Sequence, residues 1–352
     1  MRFTDNQWET AYLWLCKQRH NYPANSDIWH LRFNWQNEKL KLIKKLRLGC
    51  CQFSPLQSIT KKNGQVIHLW SSRDALVLKL ITLHLSSILP VSKLCTHVKE
   101  HGGLKATVNQ VYRQRDNYQY VIRTDVKAYY ASIDHHLAID SLSTYIKDKA
   151  LLNMLWQYMN RTVERGGLFK EISLGISRGC PLSSLIGAFF LNKLDEGFER
   201  DGLFYVRYMD DILIMTKTRW KCRRAVKQLN SEFNRLKLEK HPDKTFIGKI
   251  EKGFDFLGYH FHSQGLTIAE ITWSKFVARL HRLYEQNKAS IDCDAILGEY
   301  VRRWQRWTHA GLQCNKQMTI LLWPIKTPQR GGAYNQRITL MLRAYFPACY
   351  PD

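Results

Sequence analysis

Acidic residues are in short supply in this sequence. Its 30 Asp and Glu face 53 Lys and Arg, which leaves a formal charge of +23 at neutral pH. Such an excess calls for a polyanionic partner, nucleic acid first and a membrane surface second. No run of eighteen apolar residues is present, so no segment reads as a membrane span and no membrane partner is expected. The opening Met1-Arg2-Phe3-Thr4-Asp5-Asn6 is no signal peptide. The 9 cysteines are scattered, with Cys50-Cys51 the only close pair, which excludes a disulfide framework and zinc-ligand spacing. A reducing cytoplasm is the expected location. Apolar residues are plentiful at 45%, with 12% aromatics, so the 352 residues have a sizeable core to bury and room for two or three subdomains.

The chain is organised around residues 204–215, Phe-Tyr-Val-Arg-Tyr-Met-Asp-Asp-Ile-Leu-Ile-Met. Asp210 and Asp211 sit between two apolar runs of strand length, which predicts strand–turn–strand. Two adjacent carboxylates buried at such a turn would cost several kcal/mol without a cation, whereas a solvated Asp-Asp hairpin is an ordinary turn. Upstream, an apolar strand from Tyr120 ends in Asp125 beside a helix start, a place for a metal ligand or a capping aspartate.

Around these acids the pattern predicts helices over residues 5–50, with Trp8, Tyr12, Leu15 and Cys16 on one face. Lys39, Lys41, Lys44, Lys45 and Arg47 form either a solvated or a phosphate-facing surface. A hairpin over 53–70 turns at Lys61-Lys62-Asn63-Gly64 and leads through Arg73 into a helix Ala75–Leu89 with Ser72 as its cap. Helices follow at Ala106–Gln114, Leu137–Lys147 and Leu151–Asn160. Gly175-Ile-Ser-Arg178-Gly179-Cys-Pro181 opens a helix running to about Arg200, whose free amides could face a sugar or phosphate. Arg219–Leu236 is an amphipathic helix. His260 and His262 lack a further ligand and are not expected to hold a metal. Residues 273–348 read as helical and basic, with Arg302, Arg303, Trp304, Arg306 and Trp307 in one cluster.

Five blocks in order carry a resemblance. Asp125-x-x-x-Tyr129-Tyr130, Gly179-x-Pro181-Leu182-Ser183, Tyr208-Met209-Asp210-Asp211, the segment Leu236–Thr245 and Phe256-Leu257-Gly258 together resemble the reverse transcriptases. The nearest types are those of group II introns, retrons, diversity-generating elements and phage-defence systems, and the likeness covers roughly residues 55–262. The resemblance implies an α+β right-hand polymerase. Residues 1–118 would form N-terminal helices and fingers, and residues 119–262 a palm with an antiparallel sheet and the helices of 136–170. Residues 263–352 would form a helical, basic thumb.

It also implies two-metal nucleotidyl transfer, with Mg²⁺ as the cofactor and Mn²⁺ as a substitute. Asp125 and Asp210 would bridge the two ions, Asp211 would support one of them, and the Val126 backbone oxygen would be an extra ligand. Lys244 matches the lysine that protonates the leaving pyrophosphate. Tyr130 matches the aromatic that excludes a ribose 2′-hydroxyl, Arg73 with Lys61 or Lys62 the grip on the triphosphate, and Gly179 and Gly258 the nucleotide and primer turns. Trp304, Trp307, Arg302, Arg303 and Arg306 would lie along the template–primer. Arg178 departs from the family's usual Gln, and Ser183-Ser184 from its Ser-Pro, which is either altered substrate handling or a neutral trait of the lineage.

The expected partners are an RNA template, with a dedicated non-coding RNA among the options, a DNA or RNA primer, dNTPs, and a partner protein or second copy. No RNase H, integrase, HNH or zinc-finger segment is expected before Asp352. A domesticated enzyme of antiviral defence fits first. Retron-like or diversity-generating enzymes, a template-independent or protein-primed polymerase, and a maturase-like RNA-binding scaffold remain the alternatives.

Overall fold

A computed structural model describes residues 1–60, 64, 66–263 and 265–309. Lys61 and Lys62 lie outside these residues, as does the part of the basic C-terminal region beyond 309. The first 50 residues form three helices: α1 (Asp5–Gln18), α2 (Asp27–Phe33) and α3 (Trp35–Leu48). Thr4 opens α1 with a capping box, its hydroxyl accepting from Gln7 N at 3.2 Å while Gln7 Oε1 accepts from Thr4 N at 2.9 Å. Gly49, at φ +69°, ends α3 in the left-handed conformation.

The predicted hairpin is present as β1 (Leu56–Thr60) and β2 (Val66–Leu69). Helix α4 (Ser72–Leu85) follows, capped by Ser71 rather than Ser72 and ending before Leu89. Then come α5 (Gly103–Gln114), β3 (Tyr120–Asp125), α6 (Tyr129–Ser132), α7 (His135–Ser143) and α8 (Lys149–Met159). A second hairpin, β4 (Thr162–Arg165) and β5 (Leu168–Glu171), occupies a stretch in which only helices were expected. Its turn is Gly166-Gly167, both at positive φ, the conformation that two-residue hairpins require.

The single helix expected to reach Arg200 is two, α9 (Pro181–Phe190) and α10 (Asn192–Arg200). They meet at Leu191, next to an Asn192 side chain that accepts from Ser92 N at 2.9 Å. The rest comprises β6 (Phe204–Tyr208), β7 (Asp211–Thr216), α11 (Arg219–Arg235), β8 (Phe246–Lys249), β9 (Phe254–Phe256), β10 (Tyr259–His262), β11 (Gly265–Ile268), α12 (Glu270–Asn287) and α13 (Cys293–His309). The class is α+β.

Two compact units share the chain, and the path alternates between them. The first comprises residues 1–98, 126–200 and 227–241. Its sheet runs β2-β1-β4-β5, with β1 and β4 parallel and the other neighbours antiparallel. Helix α4 is buried on most of its sides, covering Leu76, Val77, Leu78, Leu80, Ile81 and Leu85, and packs against α1 and α9. Such a helix is stable only as the centre of a core, where each large aliphatic side chain contributes about 1.5–3 kcal/mol. Buried Arg19 ties α1 to its neighbours, donating to Ser72 Oγ at 2.5 Å, Trp70 O at 2.7 Å and Asp27 Oδ1 at 3.3 Å.

The second unit comprises residues 99–125, 201–226 and 242 onward. Its antiparallel sheet has the order β6-β7-β3-β8, and a smaller one runs β11-β10-β9. Val121, Phe204, Val206, Leu213 and Met215 share a core with Phe254, Phe256, Tyr259 and Phe261, and with Val108 and Val111 of α5. A second cluster, Phe276, Leu280, Leu297 and Val301, joins α12 to α13.

Gly175 permits a close backbone approach within the first unit. A Cβ there would lie 2.6 Å from Ala131 Cα, and the residue sits at φ +79°. Its carbonyl accepts from His135 Nε2 and Arg161 Nη1, both at 2.8 Å. Gly175→Ala is expected to destabilise the chain by about 2 kcal/mol or more. Urea titration checks this, and an unchanged midpoint would count against the close approach.

Candidate active site

The three singled-out aspartates belong to the second unit, at one end of its main sheet. Strand β3 is flanked by β7 and β8, and its pairing with β7 puts Asp125 directly opposite Asp211. Strand β6 pairs Tyr208 with the same Asp211, so Met209 and Asp210 form a two-residue loop between β6 and β7. That loop needs a positive φ, which glycine ordinarily supplies; here Met209 adopts it at +57°. Arg207, fully buried, donates from Nη1 to Met209 O at 2.8 Å and holds the strained residue in place.

The acids crowd one another. Burial pushes the Asp210 carboxyl up to about 7, with the Asp125 charge and a hydrogen bond to Asp125 next, and Asp211 last. Asp211 is pushed up to about 6, by burial first and then by Asp125. Two cations act the other way on Asp211, Arg123 and Lys244. Lys244 ends the turn Pro242–Lys244 and donates from Nζ to Asp125 Oδ2, a contact that raises its own pKa. Thr124 and Thr245 join their hydroxyls at 2.8 Å and fix that turn to β3.

Arg123 was not singled out from sequence. Strand alternation counted back from Asp125 would have found it, because residues two apart share a face. Its Nε is buried without a hydrogen-bond partner among the described residues.

The donor set suits Mg²⁺ in kind: hard carboxylate oxygens clustered at strand ends. Among the described residues no three His, Cys, Asp or Glu side chains form a ready metal cage. Mg²⁺ does not need one, because it keeps waters and takes substrate phosphates as ligands.

The other candidates of the second unit pack on protein. Gly258, at φ +88°, faces Trp307, whose Cη2 would lie 3.1 Å from an added Cβ. Trp307 stacks on Tyr259 at 5.6 Å, and Trp304 stacks on Phe276 at 4.1 Å. Lys105 lies 4.5 Å and 4.7 Å from the Trp307 and Tyr259 ring centres and donates to Trp307 O. Burial lowers the Lys105 pKa to about 8. Arg302, Arg303 and Arg306 are exposed, with Arg303 paired to Glu299 at 2.6 Å. His260 pairs with Asp255 at 2.7 Å.

The remaining candidates belong to the first unit. Val126 is buried and bridges to Lys240. Tyr130 is half-buried and stacks on Tyr129 at 5.7 Å. Gly187 makes room for it, since a Cβ there would lie 2.8 Å from Tyr130 Cε1. Arg73 donates to Ser54 Oγ at 3.3 Å. Arg178 and Gly179 sit exposed on a loop held from behind by buried hydroxyls. Tyr158 bonds Ser183 Oγ at 2.7 Å, Ser183 Oγ donates to Ser177 O, and Trp70 Nε1 donates to Ser177 Oγ at 3.2 Å. This explains a serine at 183 that sequence reading left as motif alone.

Comparison with known proteins supplies a family. The model of the family described as "Reverse transcriptase (RNA-dependent DNA polymerase)" matches residues 59–261, more than half of the chain. Protein YkfC of Escherichia coli is 24% identical over 186 residues, covering 40% of this chain and 46% of that protein. The "Putative COX1/OXI3 intron 1 protein" of Saccharomyces cerevisiae is 22% identical over 315 residues, 86% of this chain and 35% of that protein. An uncharacterized 91 kDa protein in a cob intron of Schizosaccharomyces pombe is 25% identical over 165 residues, 45% of this chain and 20% of that protein. The chain thus spans less than half the length of these curated relatives.

The carboxyl values set a pH dependence. The folded chain keeps protons on Asp210 and Asp211 up to about pH 6–7, whereas the unfolded chain releases them near about pH 4. Between those values the folded state binds more protons, so its stability falls as pH rises. In EDTA the melting temperature is expected to drop between about pH 4 and pH 7. Asp210→Asn should flatten the drop and melt higher than wild type at pH 8. Parallel curves for the two proteins would sink this assignment.

Proposed function

From the premise that the chain belongs to the reverse transcriptase (RNA-dependent DNA polymerase) family, we propose that it is a nucleotidyltransferase extending a primer with dNTPs on an RNA template. The observation that carries this reading is the pair of buried Asp125 and half-buried Asp211, in register across β3 and β7, with Asp210 in the adjoining loop.

In the proposed reaction the primer 3′-oxygen attacks the α-phosphorus of the dNTP, forming a new phosphodiester bond as the bond to pyrophosphate breaks. Two Mg²⁺ ions, when bound, would stabilise the attacking and leaving oxygens, with Asp125, Asp210, Asp211 and the Val126 carbonyl as their protein ligands. Lys244 supplies a proton to the departing pyrophosphate. Its contact with Asp125 keeps the ammonium protonated, the state a donor needs. Arg73, with Lys61 or Lys62, grips the triphosphate by charge-assisted hydrogen bonds. Tyr130 fills the space a 2′-hydroxyl would take, and the tight contact at Gly187 limits how far its ring can retreat. Arg178 and Gly179 contact the incoming nucleotide, and a fixed charge at Arg178 replaces a neutral amide there. Gly258 supports the primer end. Arg302, Arg303 and Arg306 track phosphates, while Trp304 and Trp307 buttress them from the core.

Three-part fingers, palm and thumb are the architecture that this reading expects. An RNA-binding scaffold is the second reading, favoured by relatives named as intron proteins, one aligned over 86% of this chain. For the biological role, antiviral defence comes first, by family analogy. Phage plating on cells carrying wild type or Asp210→Ala checks it.

The deciding experiment isolates the protein with its bound nucleic acid, sequences that material and adds labelled dNTPs with Mg²⁺. Labelled DNA complementary to a bound RNA is expected. Asp125→Ala and Asp210→Ala should each lower incorporation by roughly a thousandfold or more. Bound RNA without incorporation from any primer would establish the scaffold. Incorporation that survives removal of all RNA would establish a template-independent or protein-primed enzyme. Tyr130→Ala is expected to raise ribonucleotide use relative to dNTP by roughly 10–200-fold, read as a ratio of kcat/KM values. An unchanged ratio would return Tyr130 to the core.

A further inference from the structure

The first turn of α5 carries a cation where helix electrostatics favour an acid. Gly102 and Gly103, at φ +105° and +75°, open that helix, and Lys105 follows within its first turn. The side chain is half-buried, and no carboxylate among the described residues offsets its charge, so burial alone lowers its pKa. For packing alone, an apolar side chain of similar length would fill this place at lower cost than a charge.

What the ammonium meets is the far end of another helix. Lys105 Nζ donates to Trp307 O in the last turn of α13, the negative end of that helix's dipole. It also donates to the Tyr259 hydroxyl, which in turn donates to Thr308 O at 3.0 Å. The Trp307 and Tyr259 rings, stacked on each other at 5.6 Å, both lie within cation–π distance of the ammonium, at 4.5 and 4.7 Å. Gly258, next to Tyr259, leaves room for the Trp307 ring, since an added Cβ would lie 3.1 Å from its Cη2. One lysine thus joins α5, the start of β10 and the end of α13.

We infer that Lys105 is a positioning residue: it fixes the end of α13 against Gly258-Tyr259 and so sets where Arg302, Arg303 and Arg306 stand relative to the primer turn. The three exposed arginines lie within the two turns of α13 that precede Trp307, so a shift of the helix end moves them with it. A hydrogen-bonded cation specifies one placement of a helix end, whereas an apolar side chain of the same volume packs against several. The inference rests on the preceding reading, in which Gly258 supports the primer end and the arginines track phosphates. Lys105 touches neither substrate nor metal in it and acts only through α13 and β10.

The test compares full-length wild type, Lys105→Met and Lys105→Arg with Mg²⁺ present. Extension of a DNA primer on an RNA template gives kcat and both KM values, and anisotropy gives primer–template affinity at several salt concentrations. Hydrogen exchange follows the amides of residues 303–309. Lys105→Met is expected to raise the KM for primer–template roughly tenfold while the KM for dNTP holds. Its salt slope should fall by about one phosphate contact, and exchange at the end of α13 should quicken. Its melting temperature should match or exceed that of wild type, since a buried charge is gone. Lys105→Arg, which keeps charge and donors, should restore most of the affinity. Tyr259→Phe keeps the ring and removes the hydroxyl. It should shift the primer–template KM in the same direction, with the double variant no worse than Lys105→Met, and it decides the matter if Lys105→Met folds poorly. An unchanged primer–template KM and salt slope in both Lys105→Met and Tyr259→Phe overturns the inference, as does a loss confined to kcat. Wild type that extends no primer would instead fail the polymerase reading, and anisotropy and exchange would still judge Lys105.

Discussion

Asp125 and Asp211 face each other across β3 and β7, two like charges in a register that ordinarily disfavours them. What holds the register is the rest of the ladder. From Tyr120 to Thr124 each partner on β7 is apolar or a threonine, and Val121, Leu213 and Met215 are buried in one core. A slip by one residue would turn that core face outward. The apolar strands therefore set where the carboxylates stand, and the carboxylates then require local compensation. Lys244 on Asp125 and the charge of Arg123 near Asp211 provide part of it. Metal and substrate phosphates would provide the rest under the proposed function.

One strained residue lies at the same place. Met209 holds a positive φ that a glycine would adopt more easily, and a fully buried Arg207 anchors its carbonyl. Burying a guanidinium is costly unless it is hydrogen-bonded. This loop is thus over-determined from below, which suits a carboxylate that must be presented at a fixed point.

In the first unit, space rather than charge is the limiting quantity. Gly187 admits the Tyr130 ring, Gly175 admits the backbone at Ala131, and buried hydroxyls of Tyr158 and Ser183 hold the loop that bears Arg178. Small residues and buried hydrogen bonds lie beneath exposed cations, consistent with a chain whose excess charge of +23 needs a polyanion.

Much of this was legible in sequence. The β6–β7 hairpin, the strand ending at Asp125, the first hairpin and helix α11 follow from local periodicity and turn chemistry, which short segments carry within themselves. The short helix α2, the break after α9 and the hairpin at Gly166-Gly167 were missed, although that glycine pair was a local signal. The acids and the motif order stood in the sequence itself, because spacing survives without a fold, and the class came through the family resemblance that those motifs carry. Only the tertiary structure decided that Asp125 pairs with Asp211, that Arg123 acts on Asp211, that Trp304 and Trp307 stack on their own core, and that Trp14 and Arg178 line one cavity. Those facts join residues far apart in the chain, and packing brings such residues together without leaving a local period to read.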